Sequence, residues 1–88
     1  MEMNKYQRNK VKAEAACEIA ETILYYIQDN EDMIGSYNAA IEDEMGKPEE
    51  ERSDWRIESS EMGKFKEEQK ASLYRELLKY IDKEWMIF

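Results

Sequence analysis

An all-α fold is predicted for this chain: a small bundle of about three helices with a long C-terminal helix, forming one domain over residues 1–88, as a monomer or a dimer. Three observations predict it. Glycine and proline are scarce, at 3 and 1 of 88 residues, so the turn chemistry that hairpins of strands require is thin. Glu, Lys, Ala, Met and Leu are abundant and favour helix. Apolar residues recur at steps of three and four, most clearly along Ala71, Tyr74, Leu78, Ile81, Trp85 and Phe88. Leu73, Leu77 and Tyr80 lie beside that seam and widen it into a broad apolar face.

The first helix is expected to begin near Asn4, whose side chain can cap the first turn while Gln7, three residues on, reaches back in a capping box. Ala16, Ile19, Ala20, Ile23 and Ile27 then fall on one face, and Glu14, Glu18, Glu21 and Tyr25 on the opposite one. The run Asp29-Asn30-Glu31-Asp32 reads as a polar break with several possible N-caps, so a tight turn is expected there. A second, shorter helix carries Ile34, Tyr37, Ile41 and Met45 at helical spacing, with Gly35 weakening its start. Gly46 follows it, and Pro48 stops it.

The third helix can open at Pro48, placing Glu49, Glu50 and Glu51 at the positive end of its dipole, or at Ser53, leaving residues 47–52 as loop. Trp55, Met62 and Phe65 share a stripe with Leu73 and Leu77, while Ile57 belongs to the other seam. Gly63, with Ser59 and Ser60 nearby, predicts a kink or break. Unbroken from Pro48 to Trp85, this helix would be about 57 Å long and could not be covered by two shorter ones. A homodimer is therefore expected, with Tyr74, Leu78, Ile81, Trp85 and Phe88 as its contact.

The net charge of −8 is unevenly spread. Lys5, Arg8, Lys10 and Lys12 against Glu2 leave the first 13 residues at +3. Residues 14–61 hold fifteen acids against Lys47, Arg52 and Arg56, a balance of −12. The remainder, with six bases and five acids, is +1. Direct nucleic-acid binding is not expected from such a surface, because it requires clustered cations opposite phosphates. A basic surface on another protein is the complementary partner.

Several chemistries are excluded or disfavoured. Without histidine the chain lacks the usual general base and the usual nitrogen ligand for zinc, and no enzyme activity is expected. Asp29-Asn30-Glu31-Asp32 resembles the start of a calcium loop, but the position twelve from Asp29 is Ala40, so the pattern fails. No metal or cofactor is expected. The single cysteine, Cys17, lies in an alanine-rich segment and reads as a small buried residue. One cysteine also suits a reducing, cytoplasmic setting. No apolar run approaches the roughly 20 residues that cross a bilayer, and the start of the chain has no signal-peptide core.

The acids themselves carry the sharper expectation. Glu14, Glu18 and Glu21, with Glu42, Asp43, Glu44, Glu49, Glu50 and Glu51, form either the solvated side of a bundle or a mimic of a nucleic-acid backbone. Carboxylates four apart on a helix are about 5–6 Å apart, a spacing comparable with phosphates. Tyr25 falls among them and, if exposed, would anchor an interface.

In size, acidity and aromatic content the chain is similar to the small phage and mobile-element proteins that inhibit host nucleic-acid-binding enzymes, the anti-CRISPR and anti-restriction inhibitors. That resemblance implies a non-enzymatic inhibitor that fills a basic groove with its acidic middle. The competing expectation is a helical assembly or regulatory subunit that self-associates through its C-terminal apolar helix.

Overall fold

The computed structural model describes residues 2–85, and all of its regular structure is helical. Two long helices, α1 over Lys5–Met45 and α2 over Asp54–Trp85, are joined by a short connection containing one 3₁₀ turn at Glu49–Glu51. They lie antiparallel. Lys12 sits over the Trp85 ring, Asn30 bonds Glu67, and Asp43 pairs with Arg56, so numbers rise on one helix as they fall on the other. The result is a rod of 71 × 19 × 16 Å. Its radius of gyration of 20.2 Å far exceeds the about 12 Å of a compact chain this long.

The capping box at Asn4 forms as its spacing predicts. The Asn4 side chain accepts from the Gln7 N–H, and the Gln7 side chain accepts from the Asn4 N–H, each at 2.9 Å. The break expected at 29–32 does not form: the first two expected helices are one helix of 41 residues. The reason lies in the seam. From Ala13 through Ala16, Ala20, Ile23, Ile27, Asn30, Ile34, Tyr37 and Ile41 to Glu44, steps of three and four alternate without a slip, and every one of these residues is buried or half-buried. Ile57, Ser60, Lys64, Glu67, Ala71, Tyr74, Leu78 and Ile81 do the same on α2. Such a 3.5-residue repeat keeps one stripe of each helix facing its neighbour, as in a coiled coil.

Asn30 is therefore an interior residue of this seam. It is buried, and its Nδ2 donates to Glu67 Oε2 at 2.6 Å, while its Oδ1 is buried without a partner. Glu67 is held from the other side by Lys70 at 3.6 Å. A polar pair inside a coiled-coil seam costs stability and fixes register, because sliding by one heptad would strand both groups among apolar neighbours. Replacing both, as Asn30→Leu with Glu67→Leu, is expected to raise thermal stability by about 1 kcal/mol. Unfolding followed by circular dichroism checks this, and an unchanged or lower midpoint would contradict it.

Two further expectations change. Ile19 and Met45, which the spacing puts on apolar faces with Ile23 and Ile41, stand one residue beside the seam and are exposed. Gly63 does not break α2, which continues through it. The glycine is instead a close-approach point. A Cβ there would overlap the Tyr37 ring of α1, meeting Cζ and lying 2.6 Å from Cε1 and 2.8 Å from Oη.

The connection is built around Glu44. Ser53 is the start of the last helix, as one of the two expected openings has it, with its Oγ accepting from the Arg56 N–H at 3.2 Å. Pro48 precedes only the 3₁₀ turn. Gly46 ends α1 with φ of −77°, an ordinary right-handed conformation. The C-terminal carbonyls are met by Arg52, which donates to Met45 O at 3.2 Å and Lys47 O at 3.0 Å. Among the described residues no helix is long and apolar enough to cross a membrane.

Candidate protein-binding face

The outer face of α1 is set by the same repeat that sets its seam. At 100° per residue Glu14, Glu18, Glu21 and Tyr25 fall within a narrow arc turned away from α2, and all four are exposed. Because the helix does not break, the arc runs on through Asp29 and Asp32, which the sequence reading had assigned to a turn. Their signal was present in the unbroken phase of the ridge. From Glu14 to Asp32 the ridge is about 27 Å long.

Charge on this ridge is uncompensated. No lysine or arginine occurs between Ala13 and Gly46. The described ion pairs from α2 reach Glu31, through Arg75 at 3.1 Å, and Asp43 and Glu44, through Arg56 at 2.8 Å each. Among the described residues none reaches Glu14, Glu18, Glu21, Asp29, Asp32 or Glu42. Five carboxylates over about 27 Å give one charge per roughly 5 Å, somewhat sparser than the one per about 3.4 Å along a single DNA strand.

Tyr25 stands in the middle of these acids and is 70% exposed. The alternative, that another helix covers it, does not hold in this hairpin. Its ring lies edge-on to Tyr26, with centroids 6.2 Å apart and planes at 63°. Tyr26 in turn stacks on Tyr74 of α2, at 5.7 Å and 28°. The exposed ring is thus braced through a neighbour against the other helix, which lowers the entropy it loses on contact. Glu18, Glu21, Thr22, Tyr25 and Tyr26 surround only a shallow depression.

The remaining acids do not join this ridge. Glu42 is exposed but about 32 Å along the helix from Glu21. Asp43 is paired with Arg56, and Glu49, Glu50 and Glu51 are exposed at the closed end of the rod. Glu44 must be removed from the set of surface acids. It is 1% exposed, and Lys47 Nζ at 2.8 Å, the Ser53 N–H at 2.9 Å and Arg56 at 2.8 Å converge on its carboxylate. These donors, Lys47 foremost, hold its pKa down from 4.5 to about 2.

The seam expected to join two chains is the seam within one. Ile81 packs with Ala16, Ile23 and Ile27, and Tyr74 and Leu78 close over them. Trp85 is partly exposed beneath Lys12, whose Nζ is 5.9 Å from the ring centroid, and Phe88 lies outside the described residues. What α2 leaves open is the other stripe: Trp55, Met62, Phe65, Leu73, Leu77 and Tyr80 are all exposed. Among the described residues no three His, Cys, Asp or Glu side chains gather as a metal site. No protein-family model matches the chain, and no curated protein and no solved structure is significantly similar to it.

Proposed function

We propose that the protein is a non-enzymatic binding protein whose α1 ridge docks into a basic, nucleic-acid-binding groove of another protein and blocks it. A cytoplasmic inhibitor of the anti-CRISPR or anti-restriction kind, carried by a phage or mobile element, is the form this reading takes. The observation that carries it is the cation-free ridge from Glu14 to Asp32 with a braced, exposed Tyr25 at its centre. Carboxylates steer the encounter with a basic groove and set its salt dependence, and the tyrosine supplies the desolvated contact that lengthens residence.

The test is a pull-down with the tagged wild-type chain and, in parallel, a variant carrying Glu14→Lys, Glu18→Lys and Glu21→Lys, washed at low and then high salt. A basic nucleic-acid-binding protein retained by the wild type, released by salt and lost from the variant is the expected result. With the purified target, the triple reversal is expected to weaken binding about a hundredfold or more, and Tyr25→Ala about tenfold. The target should also lose its nucleic acid when the wild type is added. Equal retention of the triple variant would exclude this ridge as the contact.

A further inference from the structure

The stripe on α2 formed by Trp55, Met62, Phe65, Leu73, Leu77 and Tyr80 has no counterpart within the chain. At 100° per residue it is centred well over a quarter-turn from the residues that pack on α1, so it faces away from the hairpin seam. Trp55 is 78% and Met62 76% exposed, and the other four are each about half exposed or more. With a full aromatic side chain worth about 150–250 Å², the six present on the order of 800 Å². The six are spread over about 37 Å of helix, with Lys66 and Gln69 between Phe65 and Leu73.

We infer that this stripe is the contact between two copies of the chain, which pair α2 against α2 in a flat row of four helices with α1 on the outside of each half. On the order of 800 Å² per copy is what each side of a standard stable interface contributes. The charges bordering the stripe point to a second copy as the occupant. Asp54, Glu58, Glu61, Glu76 and Glu84 stand against Lys66, Lys70, Lys79 and Lys83, so a second copy meets a face of mixed sign and not a uniformly acidic one. The α1 ridge, with acids and no bases, would repel its own copy and is left outside. Pairing also supplies what the hairpin lacks, since one seam, half of whose positions are small or polar, is a thin core for a rod of this length.

The pairing would turn two acidic ridges outward on opposite sides of one particle. It stands apart from the target-binding proposal, because it uses different residues and a salt-tolerant contact. Sedimentation equilibrium of the full chain from about 1 to about 100 μM, a range bracketing micromolar dissociation constants, tests it at low and high salt. The expected mass is twice the chain's 10.6 kDa at both salts. Met62→Glu with Leu73→Glu is expected to shift the dissociation constant at least a hundredfold and give monomers of unchanged helicity, since both side chains stand in solvent in the hairpin. The uncharged pair Met62→Ser with Leu73→Ser carries the same direction, and Glu18→Lys is expected to leave the mass at that of the dimer. A wild type of single-chain mass throughout overturns the inference, whatever else binds the stripe. A dimer that survives both double variants, as a pair exchanging helices across the connection would, overturns it as well.

Discussion

Glu44→Ala and Glu44→Gln are expected to lower the melting temperature more than substitution of any other acid in the described chain, and to do so only above strongly acidic pH. In the wild type two cations meet on Oε1, and a backbone N–H meets Oε2, within a connection of few residues. Alanine leaves the Ser53 N–H without its acceptor and Lys47 and Arg56 with Asp43 alone, at 4.0 and 2.8 Å. Glutamine can offer its oxygen to one side only, so its amide hydrogens face either the cations or the Ser53 N–H. The pH dependence follows from the direction of the shift. The carboxyl is more acidic folded, at about 2, than its ordinary 4.5. Its contribution is therefore complete above pH 4.5, declines as the pH falls through that window, and is gone below about 2. Melting curves of wild type and Glu44→Gln across that range should converge as the solution is acidified. A gap that stays constant from neutral pH to pH 2 would show that the ionised carboxylate is not what closes the hairpin.

Much of the helical character was legible in residue spacing, and the details that were not share one cause. Helix content, the Asn4 capping box, the Ser53 opening and the outward phase of Tyr25 all follow from local rules. Apolar periodicity found the stretches 16–27, 34–41 and 71–81 but did not join them into one α1–α2 seam, because half of its defining positions are not large and apolar. Asn30 and Glu67 hold seam positions through each other, Glu44 through Lys47, Ser53 and Arg56, Ser60 through small size, and Lys64 half-exposed beside Glu68 of its own helix, and no window of one helix reveals the partner of Asn30, 37 residues away. Ile19 and Met45, each one step off the seam, look like better core residues than the alanines and the glutamate that occupy it. The same cause hid the site. With Asn30 taken for a turn residue, the acidic ridge ended at Tyr25, and with Tyr74, Leu78 and Ile81 free of α1 they looked like a surface for another chain. The exposed α2 stripe had been read as a stripe but not as the open one, because which of two apolar faces is covered depends on where the other helix lies.

Gly63→Leu is expected to destabilise the hairpin by about 3 kcal/mol, although the substitution raises helix propensity by nearly 1 kcal/mol at an interior position. Local and tertiary effects have opposite signs here, and the packing decides. A Cβ alone would press on Cζ, Cε1 and Oη of Tyr37, a half-buried ring that lies in the seam between α1 and α2. Further atoms would force the ring out or the helices apart. Gly63→Ala, asking the ring end to shift only, is expected to cost about 1 kcal/mol after the propensity gain is counted. The decisive measurement is the double-mutant cycle with Tyr37→Ala. Once the ring is gone, Gly63→Ala should become stabilising by up to about 1 kcal/mol, the propensity gain alone. If Gly63→Ala is stabilising with Tyr37 in place, the close approach is relieved at no cost and the glycine is a helix defect. A reversal of sign would instead establish that α2 carries glycine at this position to admit the Tyr37 ring of α1.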